Sequence, residues 1–519
     1  MDDNKENSSL DDETPLCNYS SGNFLRVLPV PNNLKGKNGF RWTGEKPTRS
    51  RIPRRNILFH PPGPKAAARQ ITTEQEAWSI FFSDEILEEV VRNTNAEIGR
   101  QREKYKRDRP IQNTEDENAD ASSSTKIRPS FAKDASVLEI KALFGLYYLA
   151  GVLNMNHVTT KELFDKNSGV GYFRATMSQA RFEFLTNCLH FDDRSRQSRL
   201  IVDKLAPIRQ FCDILNENFE KHYTVSEYVT VDEQLPAFRG RFSGLVYMPN
   251  GPYNIPNDTK SLVKRLTETI KNTGRNITMD NYFTSVDLAK ELLKDKLTLV
   301  GTLRKNKKEI PQAFLPDRRR EVHSTLFGFH DDLTLCSYVS KKSKAVVLLS
   351  SMHHDDIIDE GELKKPEMIL FYNKTKGGVD TNDKLCSTYN VARRTKRWPM
   401  VIFFHLFNVS AINAFVIYNF NNNEATINRR FFLKLLATEL VKAHRLARAI
   451  VPSLPSALKK RLSGPEVATP STSDTRLHST KRGRCYICPQ KGDKKMTAKC
   501  NKCNKFICGD HTKKTCDNC

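Results

Sequence analysis

Acidic residues that could bind metal occur in three separated parts of the sequence. Asp232 follows the segment YVTV, Asp280 follows NITM, and Asp380 and Asp383 lie in GGVDTND. A helix that starts at the Gly-Gly pair puts Asp380 and Asp383 on one face, because residues three apart are neighbours on a helix. Carboxylates that converge at one sheet edge suit Mg²⁺ or Mn²⁺, and two such ions can clamp the reacting oxygens of a phosphodiester. A single aspartate at a strand end is usually structural, so spacing alone leaves this site open.

Cysteines at the end of the chain form a second candidate metal site. Seven of the 12 cysteines lie after position 484, and one histidine joins them. They form four pairs with two intervening residues, which predict two tetrahedral Zn²⁺ sites. Cross-brace pairing places Cys485, Cys488, Cys508 and His511 in one site and Cys500, Cys503, Cys516 and Cys519 in the other; sequential pairing is the alternative. The segment has few apolar residues, so metal must drive its folding.

Local patterns predict a mixed chain of helices and strands. Helical periodicity begins near Thr73 and continues to about position 218. Strands are predicted at 228–232, at NITMD, at LTLVGTLR and at EMILFYN, with helices between the first three. Alternation of this kind favours an α/β core. Short β-like segments at about 310–368 predict a β-rich insert, and long helices follow to about position 450.

The charge of the chain favours a polyanionic partner. Lys and Arg exceed Asp and Glu to give a formal net charge of +23, which points to nucleic acid. The basic runs at 393–397, 458–461 and 481–484 suit nuclear import or phosphate contacts, so we expect a nuclear location. The apolar segments 137–153 and 400–420 contain charged or polar residues and therefore predict buried helices, with no membrane partner.

Several long words of the sequence resemble the piggyBac family of cut-and-paste DNA transposases. They are VTVDEQLPAFRGR, YMPN, NTGRNITMDNYFTS, GTLRKNKKEIP, YNKTKGGVDTND and RRTKRWPM, in that order, with FDDRSR and DKLAPIR upstream. The resemblance runs from about residue 73 to the C-terminus. It implies a set of metal-binding aspartates, Asp232, Asp280 and Asp380, which hold Mg²⁺ or Mn²⁺, and an additional family aspartate at Asp383. Trp398 matches a family tryptophan near the active site; a core aromatic is the alternative.

The resemblance also implies a domain plan. Its fold class combines α/β and α parts: an RNase H-like mixed sheet core, a β-rich insert, a helical dimerisation and DNA-binding domain, and a small C-terminal zinc-binding cross-brace module. The expected boundaries are 1–72 disordered, 73–227 helical, 228–305 and 369–400 catalytic core, 306–368 insertion, 401–462 helices completing the DNA-binding domain, 463–480 linker, and 481–519 cysteine-rich.

The implied reaction is metal-dependent phosphoryl transfer at transposon ends. Water nicks the DNA, the freed 3′-hydroxyl forms a hairpin that is reopened, and the 3′ ends join TTAA target DNA. The implied partners are double-stranded DNA of the terminal repeats and a second copy of the chain. The cysteine-rich domain of the family binds transposon ends. A RING-type ligase module is the alternative, and the 11 Lys and Arg against 3 Asp after position 480 favour DNA.

The sequence departs from the family between the first two aspartates. YMPN runs into GPYNIPNDTKSLVKRL, and only 48 positions separate Asp232 from Asp280. The missing part corresponds to the second and third core strands, which leaves an edge of the first strand unpaired. A skipped exon, a decayed copy and a tolerated deletion are the three explanations. A domesticated or decayed DNA-binding protein without cleavage activity is therefore the alternative function.

Overall fold

The computed structural model describes residues 27–47, 61–107, 130–193, 197–234, 236–242 and 259–452, with a few short segments after them. The chain divides into two compact units, Met1–Val451 and Pro452–Cys519. The predicted linker at 463–480 lies outside the described residues.

The first half of the first unit is mainly helical. Thr73 caps the first helix with a capping box: its side chain accepts from the Glu76 amide, and the Glu76 carboxylate accepts from the Thr73 amide. The Ser136 and Ser178 side chains cap later helices by accepting hydrogen bonds from the amides of Glu139 and Arg181. The helices are α1 Glu74–Ser79, α2 Asp84–Arg107, α3 Val137–Val152, α4 Thr160–Leu163, α5 Gly171–Thr176, α6 Gln179–Cys188, α7 Gln197–Val202 and α8 Arg209–His222.

Strands and helices alternate in the second half of this unit. Short strand pairs precede it in the chain: β1 Leu34–Lys35 with β2 Arg41–Trp42, and β3 Gly63–Pro64 with β4 Tyr223–Thr224. The remaining elements of this unit are β5 Tyr228–Val231, α9 Thr259–Leu266, β6 Asn276–Met279, α10 Val286–Lys294, β7 Thr298–Thr302, β8 Thr325–His330, β9 Leu333–Lys341, β10 Lys344–Ser350, α11 Glu367–Thr375, α12 Gly378–Thr388, α13 Trp398–Asn421 and α14 Arg429–Ala449.

One hydrophobic core joins the early helices to the late ones. The rings of Phe144 on α3 and of Phe403 and Phe407 on α13 pack together, and α14 packs along α3. By length and composition α13 could cross a membrane. Phe403 and Phe407 are each fully buried in this helical core, which gives the apolar residues of α13 a protein environment.

The main sheet has six strands in the order β5-β6-β7-β10-β9-β8. Strands β5, β6 and β7 are parallel, and β10, β9 and β8 continue the sheet antiparallel. Successive side chains alternate between two cores, as in Leu299 against Val300 and Leu349 against Leu348. Helices α9 and α10 contribute to one core and α11 to the other. Among the described residues, β5 is an edge strand.

The region predicted as a separate insert, 306–368, continues the main sheet. It is rich in strands, but β10 pairs with β7 from Ser350↔Val300 to Leu348↔Thr302. Core strands and insert strands therefore share one sheet. The sequence pattern could not show this because strand pairing depends on contacts between distant positions.

Two predictions about local structure are wrong. EMILFYN was predicted as a strand and forms α11, because Met368, Ile369 and Tyr372 lie on one helical face and bury it against the sheet. Residues 1–72 were predicted to be disordered, yet 27–47 and 61–72 have defined structure. Trp42 is 1% exposed, and its indole nitrogen donates to the Glu309 carbonyl at 2.8 Å. Contacts of this kind with distant residues give structure to a segment whose composition favours disorder.

The second unit contains a small β-hairpin-like pairing. β11 Gly483–Arg484 pairs antiparallel with β12 Lys495–Met496. The Tyr486 amide donates to the Phe506 carbonyl at 2.8 Å. The Sγ atoms of Cys488 and Cys508 lie 3.5 Å apart. The other predicted zinc ligands, Cys485, Cys500, Cys503, His511, Cys516 and Cys519, lie outside the described residues.

Candidate active site

The sheet brings Asp232 and Asp280 side by side. Val231 and Met279 are register partners in the parallel pair β5–β6, and Asp232 and Asp280 directly follow these last strand residues. Neighbouring strands lie about 4.8 Å apart, and register partners point to the same face. The two carboxylates therefore meet at the carboxyl edge of the sheet, as the sequence predicted for strand ends.

Like charges are crowded at this edge. Burial raises the pKa of Asp280, and the charge of Asp232 adds to the rise, while amide hydrogen bonds from Tyr282 and Phe283 oppose it. Burial, a hydrogen bond with Asp232 and the charges of Asp280 and Asp232 raise the pKa of Glu233 to about 7. Each raised pKa means that the charged form of the carboxylate is destabilised at this edge. A bound cation would offset the repulsion between the negative charges.

A glycine turn positions the third acidic segment. A Cβ on Gly378 would lie 2.6 Å from Oγ1 of Thr230, so only glycine lets α12 approach β5 this closely. The Thr230 hydroxyl also donates to the Thr375 carbonyl at 2.7 Å. The start of α12 thus lies against Thr230, which precedes Asp232 by two residues.

The two acids of α12 have different surroundings. Asp380 lies exposed in the first turn of the helix, whereas Asp383 is half-buried and accepts a hydrogen bond from the side-chain amide of Gln234. Within the described part of the chain, no three His, Cys, Asp or Glu side chains are arranged to hold one metal ion. The structure therefore pairs Asp232 with Asp280 and ties Asp383 to the same loop, and it leaves Asp380 in solvent.

Three polar residues of this region were missed as site residues. Glu233 adds a carboxylate beside Asp232, and Gln234 links Asp383 to Nε2 of His405, which lies 2.7 Å from the Gln234 oxygen. Glu233 and Gln234 stand in the word VDEQ directly after the first aspartate. His405 is a polar residue within the apolar sequence of α13. This sequence feature could have indicated that it belongs to the site.

Trp398 lies at the start of α13 and is half-buried. Its ring stacks on Phe242, with the centroids 4.4 Å apart and the planes 26° apart. It also packs against the helical core. The residue therefore connects the segment after Asp232 with the helices. Its packing is that of a core aromatic, and a role near the active site stays a prediction.

The basic run at 393–397 is partly structural. Arg393 donates to the Val158 carbonyl at 2.8 Å, and Arg397 donates to the Asn187 carbonyl at 2.7 Å. Arg394 and Lys396 are exposed. Only these two side chains of the run present their charge fully to solvent.

The donor set at the sheet edge fits a hard divalent cation. Its ligands are carboxylate oxygens, which Mg²⁺ and Mn²⁺ prefer. The two carboxylates that follow register partners, Asp232 and Asp280, provide a partial site. A third ligand must come from another group, and Asp380 is the exposed carboxylate on the neighbouring helix.

Comparison with known proteins places this arrangement in a family. A family model described as transposase IS4 matches residues 73–258 and 254–415, which together form more than half of the chain. A solved piggyBac transposase synaptic complex with hairpin DNA is 34% identical, with a TM-score of 0.70 over 89% of this chain and 100% of that chain. The two segments of the family match overlap at 254–258, within the stretch predicted to lack core strands.

Curated human proteins are more distantly similar. The human piggyBac transposable element-derived protein 2 is 20% identical over 400 residues, which are 67% of this chain and 66% of that protein. The human piggyBac transposable element-derived protein 3 is 23% identical over 52% of this chain and 53% of that protein. The chain thus spans about half to just under two thirds of these relatives. The family match and the structural likeness together show that the chain belongs to the piggyBac-type transposase family.

Proposed function

We propose that this chain is a piggyBac-type DNA transposase that performs metal-dependent phosphoryl transfer at transposon ends. The observation that supports the proposal most is the pairing of Asp232 and Asp280 in adjacent register at the sheet edge. The net charge of +23 suits a DNA partner. The similar solved structure is a transposase in complex with hairpin DNA.

Each acidic residue has a role in the proposed reaction. Asp232 and Asp280 would bind Mg²⁺ or Mn²⁺, with Asp380 as the third ligand from α12. The bound ion would supply Lewis-acid activation of the scissile phosphate. Hydrolysis of one phosphodiester would form a P–O bond to the water oxygen, break the P–O3′ bond and leave a 3′-hydroxyl. That hydroxyl would attack the opposite strand to form a hairpin and, after water reopens the hairpin, TTAA target DNA. Each attack would form a P–O bond to the 3′ oxygen and break the P–O3′ bond of the attacked strand, which leaves with a 3′-hydroxyl.

The decisive test is nicking of terminal-repeat DNA by the purified chain with Mg²⁺. Asp232→Asn should lower nicking by at least about 100-fold, because loss of a ligand exceeds the effect of most outer partners. DNA binding should remain. Asp213→Asn, on the exposed face of α8, is the matched control and should nick normally. Nicking that persists in Asp232→Asn would remove this residue from the site.

A non-catalytic DNA-binding function is the second candidate. It is favoured by the edge position of β5 among the described residues and by the division of the family match into two segments, which overlap at 254–258. This function predicts salt-sensitive DNA binding without nicking by the unmodified chain. The homodimer and the nuclear location stay predictions from the resemblance and from the basic runs.

We also propose that the second unit binds two Zn²⁺ ions in cross-brace pairing. Two sulfur ligands on one tetrahedral Zn²⁺ lie about 3.8 Å apart, given bonds of about 2.3 Å. The separation of 3.5 Å between Cys488 and Cys508 is close to that value. Cross-brace pairing puts both in the site with Cys485 and His511, whereas sequential pairing separates them.

A further inference from the structure

The end of β5 that carries Asp232 has few sheet restraints. Its last paired position is Val231, and its described neighbour is β6 on one side. The segment before β5 and the strand itself are anchored: the buried Arg275 guanidinium donates to the carbonyls of Val225 and Ser226, and the Thr230 hydroxyl donates to the Thr375 carbonyl. Residues 232–234 leave the sheet, so side-chain contacts must fix them.

Gln234 makes such contacts on both sides of its amide. Its nitrogen donates to Oδ1 of Asp383 on α12, and its oxygen lies 2.7 Å from Nε2 of His405 on α13. An ionised carboxylate only accepts hydrogen bonds, so the nitrogen of Gln234 must face Asp383. The oxygen then faces His405, whose Nε2 must carry a proton and donate it.

These contacts connect three elements that are distant in sequence. The loop after β5, α12 and the core helix α13 meet at one amide. His405 is half-buried in a helix whose neighbouring turns pack in the core. A side chain fixed in such a helix is a firm reference point, because its backbone cannot shift without disturbing packed rings.

We propose that Gln234, oriented by His405, is a positioning residue that holds the Asp232 end of β5 against α12. In the interior of a sheet, neighbouring strands on both sides restrain the backbone. At the end of β5, the hydrogen bonds of Gln234 would supply the restraint that a second neighbouring strand gives there. The expected effect on metal binding rests on the proposed function, whereas the effect on the β5 backbone does not. In the alternative, the two hydrogen bonds of Gln234 stabilise only their immediate surroundings and do not affect the position of Asp232.

The test uses Gln234→Met in the full chain, because methionine keeps the length of the side chain and removes both hydrogen bonds. Mn²⁺ binding, measured by electron paramagnetic resonance, should weaken by about 10- to 100-fold, as for other outer partners of metal ligands. Amide hydrogen exchange in 228–234 should become at least about fivefold faster, because one lost hydrogen bond gives a change of about that size and the variant loses two.

A comparison of single and double variants of Gln234 and His405 distinguishes a positioning role from a purely local contribution to stability. His405→Phe alone should weaken Mn²⁺ binding in the same direction, and the double variant should be no worse than Gln234→Met, because His405 acts through Gln234. His405→Gln, which restores a donor, should recover part of the affinity. Asn419→Leu is the control: Asn419 lies on the same helix and makes two comparable amide hydrogen bonds to Ile427. Its Mn²⁺ affinity and its exchange in 228–234 should equal those of the unmodified chain.

Two results would overturn the proposal. The first is Mn²⁺ binding and exchange in Gln234→Met that match the unmodified chain. The second is a double variant whose loss is the sum of the single losses. If the unmodified chain itself fails to bind Mn²⁺, the metal function falls, and exchange in 228–234 alone decides whether Gln234 holds the strand.

Discussion

At the scale of single residues, the acidic edge is a site of unfavourable charge crowding. Asp232, Asp280 and Glu233 lie together, and two of them have a raised pKa because burial and neighbouring charge penalise ionisation. Such groups are more often found at functional sites than in structural ion pairs. Their energetic cost to the folded state can be measured.

Stability should therefore fall as pH rises near neutrality. The pKa of Glu233 is about 7 in the folded chain against an ordinary value of 4.5. Between these values the folded state holds a proton that the unfolded state has released, so the free energy of unfolding decreases with pH. Without divalent metal, Glu233→Gln should remove part of this decrease and stabilise the chain at pH 8 by about 1–2 kcal/mol, after allowance for solvent screening.

Urea unfolding at pH 4, 6 and 8 measures this effect. The raised pKa of Asp280 acts in the same direction and leaves a residual slope. Glu88→Gln, on the exposed face of α2, is the control and should follow the unmodified chain. Parallel curves for Glu233→Gln and the unmodified chain would contradict the prediction.

At the scale of elements, the position of α12 depends on a close contact with β5. Gly378 touches the Thr230 side chain, whereas Gly377 has open space around its missing Cβ. Both glycines precede the acids of α12. A substitution of Gly378 therefore tests the contact with Thr230, and the same substitution of Gly377 is the control.

Gly378→Ala should destabilise the first unit by about 1–3 kcal/mol, the usual cost of overpacking. The new methyl group pushes α12 away from β5 and so moves Asp380 and Asp383 relative to Asp232. Gly377→Ala should cost less than about 1 kcal/mol, because only helix-cap preference changes. Thermal unfolding compares the two variants, and equal losses would show that the contact with Thr230 is unimportant.

At the scale of the whole molecule, a basic chain combines a large unit with a small cysteine-rich one. The first unit has its own cores, so it should fold without the second. The second unit has few apolar residues, so we expect its folding to depend on metal. The pairing of its ligands would decide which cysteines share an ion.

Zinc content per chain distinguishes the two pairings. The unmodified chain should contain two ions by elemental analysis. The double variant Cys488→Ser/Cys508→Ser should keep one ion if the pairing is cross-brace, and none if it is sequential. Cys212→Ser, on α8 in the first unit, should keep both. The unfolding of the first unit should be the same in all of these chains.

Sequence patterns alone predicted the acidic segments and most of the local elements. Asp232 and Asp280 follow strands, and α10 and α12 have the expected positions, because strand and helix periodicity and glycine turns are local properties. The family words tied these segments together and are confirmed by the family match. The separation of 48 positions between Asp232 and Asp280 can be counted from the sequence, and the loss of core strands between them stays a prediction.

Only the tertiary structure decided how these parts meet. The register of β5 and β6, the union of insert and core strands in one sheet, and the bridge from Gln234 to His405 join positions far apart in the chain. The strand prediction for EMILFYN and the disorder prediction for 27–47 failed for the same reason. A buried face or a single buried tryptophan is stabilised by a partner surface that local sequence does not contain.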